Sequence, residues 1–139
     1  MIFRCLVIFL VQLTVVSAVA GQARAVKCDP AGNQQEMNVC AEDEFKKVDK
    51  ELNRVYNALL QKEKGDPLFI RKLRESQQAW IKFRDAELAA TYTCEGSESM
   101  CWGSMYPLCY YGYKARLTRE RTKRLNKYLA DGRPADDCH

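Results

Sequence analysis

The stretch Met37–Leu60, MNVCAEDEFKKVDKELNRVYNALL, decides the fold. Its apolar residues at Met37, Ala41, Phe45, Val48, Leu52, Val55, Tyr56 and Leu59 step by three or four, with Val55 and Tyr56 side by side, which is the period of one helical face. Just upstream, Asn33 with Glu36 three residues on has the form of a capping box. Just downstream, Gly65 stops the pattern and Asp66-Pro67 restarts it, an acceptor to cap a new helix and a proline for its first position. The spacing predicts a first helix over roughly 34–63 and a second over roughly 67–92. The second has Phe69, Leu73, Trp80, Phe83, Glu87 and Ala90 on one broad face.

Between Thr93 and Tyr106 the period breaks into the Gly- and Ser-rich CEGSESMCWGSMY, which reads as an irregular loop carrying two cysteines. Beyond Pro107 it returns with Leu108, Tyr110, Tyr113, Leu117, Arg121, Leu125 and Tyr128 or Leu129, a third helix over roughly 107–129. The short link between the first two helices requires an antiparallel hairpin, with neighbours whose numbers sum to about 130. The third helix is expected to pack antiparallel to the second, with sums of about 203. The expected fold is all-α: a disulfide-stapled, left-handed, three-helix up-down-up bundle. Its core spans about 28–129 and an irregular tail follows at 130–139.

The first twenty residues hold one charge, Arg4, an apolar run from Leu6 to Val16 and the small residues Ala18 and Ala20, the pattern of a secretory signal peptide over 1–20. Cleavage after Ala20 is the first choice and after Ala25 the second. The apolar run is shorter than the roughly 20 residues of a membrane span. A secreted or periplasmic protein is expected, with a single domain over 21–139. Of seven cysteines, Cys5 goes with the leader. The six that remain, Cys28, Cys40, Cys94, Cys101, Cys109 and Cys138, form an even set suited to an oxidising compartment, and they allow 15 pairings. Without a CxxC, and with His139 as the only histidine, no metal site and no cofactor are expected.

Charged residues fall where helices meet. Under the pairing sums Asp49 lies within a turn of Arg84, and Asp85 lies level with Thr118, one turn from Arg121. Trp80 and Arg84, four apart, can stack as a cation–π pair worth about 0.5–1 kcal/mol. Half-buried charges cost several kcal/mol unless partnered, so Asp49, Arg84, Asp85, Thr118 and Arg121 read as one network holding the three helices in register. The competing reading makes Asp49 with Asp85 or Glu87 a catalytic carboxylate pair. That chemistry needs a cleft, and the sequence offers no internal histidine, phosphate cradle or GxSxG to support it. No enzyme is expected.

Four segments in order, DKELNRVYNALL (Asp49–Leu60), QQAWIKFRDAE (Gln77–Glu87), WGSM (Trp102–Met105) and LTRERTKRL (Leu117–Leu125), resemble the LprI-like lysozyme-inhibitor family of small exported bacterial helical domains. The resemblance covers about Cys28 to Leu129. It implies scaffold roles for Asp49, Leu52, Asn53, Tyr56, Trp80, Arg84, Asp85, Gly103, Ser104, Thr118 and Arg121. Where the family often carries two cysteines, this chain has Leu88 and Tyr113. Cys94 and Cys109 lie nearby and satisfy the pairing sum, which implies a staple between them moved along the bundle. Cys138 is stranded at the other pole. Its nine residues from Leu129 reach at most about 32 Å, against a bundle about 30 Å long.

The function implied by the resemblance is blockage of a muramidase by surface recognition. The loop at 95–106 offers Glu95, Glu98, Trp102, Met105 and Tyr106 as contacts, and the same aromatics could instead cap the core. The formal charge of +4 does not favour encounter with a basic lysozyme. The acidic run Glu42-Asp43-Glu44 offers a local field of the right sign, or simply complements the helix dipole. The alternative is an envelope binding or structural module. It would set the row Lys114, Arg116, Arg119, Lys123, Arg124 and Lys127 against anionic lipid, anionic wall polymer or an acidic protein. Export argues against nucleic acid.

Overall fold

The computed structural model describes residues 25–138. The leader, with Cys5, and His139 lie outside the described residues. Three long helices, α1 (Gln34–Lys62), α2 (Pro67–Thr91) and α4 (Tyr106–Asp131), are joined by a tight turn and by a segment containing the short α3 (Glu98–Trp102) and a 3-10 turn (Gly103–Met105). A second 3-10 turn, Pro134–Cys138, follows α4. No described residue is in a strand.

The helix ends follow local chemistry. Asn33 Oδ1 accepts from the backbone N–H groups of Gln35 (2.9 Å) and Glu36 (3.2 Å), while Glu36 Oε2 accepts from the Asn33 N–H at 2.8 Å. This is a full reciprocal capping box, and it satisfies donors the helix cannot satisfy itself. Asp66 Oδ1 accepts from the Phe69 N–H at 2.9 Å, with Pro67 at the first helical position. The other Asp66 oxygen, Oδ2, takes Arg133 Nη1 at 3.0 Å, which ties the tail beyond α4 to the α1–α2 turn.

At that end of the molecule Leu52, Val55, Leu59, Leu73 and Leu125 form an aliphatic core, flanked by Tyr56, Phe69, Tyr128 and Leu129. Each fully buried leucine contributes about 1.5–3 kcal/mol of transfer free energy. Two features of the packing depart from the sequence pattern. On α2 the inward face is Leu73, Gln77, Arg84 and Leu88, whereas Phe83 stands exposed. The spacing is helical throughout, but two of its steps are polar.

On α4 the buried residues are Ala115, Thr118, Arg121, Thr122 and Leu125. The three small ones let α4 approach α1, its closest neighbour, while the bulky Trp80, Gln77 and arginines hold α2 further off. The main partner of α4 is therefore α1, in parallel, rather than α2. Thr118 donates to the Lys114 carbonyl (2.8 Å) and Thr122 to the Thr118 carbonyl (2.9 Å), so both hydroxyls are satisfied inside their own helix.

Two disulfides are formed, Cys28–Cys40 and Cys94–Cys101. The first pins the leading segment to the second turn of α1. The second replaces the expected Cys94–Cys109 staple. Cys94 lies just beyond the end of α2, and α3 brings Cys101 to a Cα separation of 6.2 Å. On α4 it is Tyr110 that turns toward Tyr92, which caps the end of α2. Cys109, one residue and about 100° earlier, faces solvent as a free thiol. Cys138 is also an exposed free thiol.

Candidate functional site

The pole opposite the aliphatic core is built on the Cys94–Cys101 segment. Thr93 Oγ1 closes the end of α2 by donating to the Ala89 and Ala90 carbonyls, each at 3.0 Å. The chain then turns through α3 to Gly103, whose φ of 63° is a backbone state that L side chains rarely adopt. Ser104 follows, and its carbonyl accepts from Asn38 Nδ2 of α1 at 2.9 Å. The loop is thus held by a disulfide at its base and a hydrogen bond at its tip.

Beneath it Tyr92 collects three rings: Trp102 (5.6 Å, edge-on), Tyr106 (5.6 Å, edge-on) and Tyr110 (5.8 Å). Tyr110 continues to Tyr111, and Tyr111 to Phe45. Burial raises the phenol pKa of Tyr92, Tyr106 and Tyr110. Of the residues expected on this loop, Tyr106 belongs to the aromatic layer, and Trp102 touches that layer while leaving 42% of its surface exposed. Glu95, Glu98 and Met105 lie on the surface, Met105 at 51% exposure. Met100, 81% exposed, lies outside the expected set. The signal for it in the sequence is an apolar residue between two cysteines, on a segment with no helical face to bury it.

The expected single polar network is two. Arg84, 8% exposed, directs Nε and Nη2 to Asp85 Oδ1, both at 2.9 Å. Its Nη1 lies 3.8 Å from Asp49, which also accepts from Asn53 at 3.1 Å. Its guanidinium sits 5.2 Å from the Trp80 ring. Arg121 lies 6.0 Å from the same ring and turns instead to Gln77 Oε1 (3.0 Å) and Ser76 Oγ (3.1 Å). Asp85 does not reach Thr118 or Arg121. The α2–α4 seam places Gln77 there, a partner visible in sequence only as a polar step between Leu73 and Trp80. Glu87 accepts from the Tyr113 hydroxyl at 2.9 Å. Asp49 of α1 reaches across to Arg84 of α2 and Glu87 of α2 takes Tyr113 of α4, whereas Asp85 stays with Arg84, its neighbour on the same helix.

The basic row is shorter than its sequence. Lys114 points inward over Phe45 (4.8 Å) and Tyr110 (5.5 Å), and burial, then the Arg84 charge, lower its pKa. Arg119 is ion-paired with Glu44. Lys46 takes Glu42 (2.9 Å) and Asp43 (3.4 Å), so the acidic run is matched by cations of the chain itself. Arg116, Lys123, Arg124 and Lys127 remain on the outer face.

No described helix is long and apolar enough to cross a membrane. The two disulfides fit an oxidising compartment. A family model described as lysozyme inhibitor LprI matches residues 26–125. An uncharacterized protein of Rhizobium meliloti (strain 1021) is 32% identical over 114 residues, covering 73% of this chain and 78% of its own length. No solved structure matches. The family match takes in all of α1 and α2, the stapled loop and α4 as far as Leu125, and on that ground the chain belongs to the LprI lysozyme-inhibitor family.

Proposed function

We propose that the protein is a non-catalytic inhibitor that blocks a muramidase by docking its stapled pole onto the enzyme. The observation that carries this reading, beside the family, is the apolar surface of that pole. Met100, Trp102 and Met105 are all exposed on a segment held at both ends. Large exposed apolar side chains on a pre-ordered loop are the usual anchors of tight protein recognition, because little conformational entropy is lost on binding. Glu95 and Glu98 give that pole the acidic character that the chain as a whole lacks, which suits a basic enzyme. Tyr106 supports the surface from below.

The test is turnover of cell-wall suspensions by basic and less basic lysozymes while the oxidised mature protein is titrated in. Saturating loss of activity near one-to-one is expected. Trp102→Ala is expected to weaken it at least about tenfold, and Glu98→Gln less. Undiminished turnover at micromolar excess would sink the reading.

A further inference from the structure

Two arginines flank Trp80, both about nine-tenths buried, and only one has its charge matched. Arg84 is held by two carboxylates. Arg121, 8% exposed, hydrogen-bonds only to the neutral oxygens of Gln77 and Ser76, and among the described residues no carboxylate comes within ion-pair distance of it. Its Nη1 bonds to no described residue, although no buried polar side-chain atom lacks a partner, so Nη1 must open onto free space. Arg121 also lines a hollow of about 350 Å³ between α2 and α4, together with Trp80, Phe83, Leu117, Glu120 and Arg124. Arg124 adds a second cation without an ion pair among the described residues, and Phe83 stands exposed beside it. A buried guanidinium without a counter-charge is costly to keep, and its planar fork is shaped for a carboxylate.

We propose that this hollow is a binding site for a small carboxylate ligand. Arg121 Nη1 and Arg124 would take the carboxylate, and Trp80 and Phe83 the apolar face of the attached body. The volume lies in the range of small-molecule sites. The site is separate from the stapled pole and does not depend on the inhibitor reading.

The test is two-dimensional NMR of the 15N-labelled oxidised mature protein, following the Arg121 Nε–H and the Trp80 indole N–H. The probes are N-acetylmuramic acid and phenylacetate, against their uncharged counterparts N-acetylglucosamine and phenylacetamide. At least one acid is expected to shift both signals saturably at millimolar concentration, with its neutral counterpart at least about tenfold weaker. A response to the first acid alone assigns a sugar acid, and to the second alone an apolar acid. Arg124→Gln, at an exposed position, is expected to weaken the response about tenfold. Failure of both acids to saturate, equal binding of the neutral compounds, or indifference to Arg124→Gln would each overturn the site.

Discussion

The two poles of the bundle are stabilised by different physics. Where α1 and α4 end, five aliphatic side chains are sealed from water, and closure comes from Lys62 Nζ on the Leu129 carbonyl (2.9 Å) and from Arg133 on Asp66. At the opposite pole the rings of Phe45, Tyr92, Trp102, Tyr106, Tyr110 and Tyr111 are all partly exposed, and two disulfides supply the order. A region that keeps apolar surface available for a partner cannot also bury it. On the proposed reading, covalent links there substitute for burial that a recognition surface excludes.

If this contrast is right, cutting the aliphatic pole should damage the whole molecule most. Leu59→Ala or Leu125→Ala is expected to cost about 2–5 kcal/mol in urea unfolding, through lost transfer energy and the cavity left behind. Replacing Cys94 and Cys101 together by serine should cost about 2 kcal/mol. Hydrogen-exchange protection should then fall around 95–106 while that of α1 around Val55 and Leu59 keeps its order relative to the rest; equal loss at both poles would break the comparison. Between the poles, Arg84→Gln should cost about 1–2 kcal/mol, since it strands two carboxylates that are themselves partly solvated. Arg121→Met should fall within about 1 kcal/mol of wild type or stabilise, because it removes an unmatched charge. Thermal melts of the two variants side by side sharpen the contrast.

The smallest effect concerns pH. The Phe69 N–H first, and Arg133 second, hold the Asp66 carboxyl below the usual range. Its contribution is therefore present above the unfolded carboxylate pKa and lost as pH falls through the lower folded value. Asp66→Asn keeps a capping oxygen without the titration. Unfolding midpoints followed from neutral into acid should fall less steeply for it.

Helices and caps were legible because their signals are local. Asn33, Glu36, Asp66 and Pro67 do in space what their spacing states, and the apolar face of α1 is sealed at Val48, Leu52, Val55 and Leu59. The seam of α2 was less legible, since Gln77 looks solvent-facing until a partner is known, while Phe83 looks buried. The closeness of α1 and α4 rests on Ala115, Thr118 and Thr122, residues whose small volume carries no hydropathy signal. The disulfide pairing was hidden because α3, five residues long, is too short to show a period. Of the candidate site, the loop and its Trp102 were visible and Met100 had a signal that went unread, but the unmatched charge of Arg121 needed the third dimension.

The parallel contact of α1 with α4 also bears on how the molecule is made. Its links join residues far apart in the chain, Asn38 with Ser104, Lys62 with Leu129 and Glu44 with Arg119, at separations of 66, 67 and 75. The α1–α2 hairpin can form as soon as its turn emerges, but the helix made first gains its closest neighbour only when the helix made last arrives. Such late, non-local closure slows folding relative to a bundle of sequential neighbours. Until the C-terminal helix supplies Leu125, the chain has no finished core.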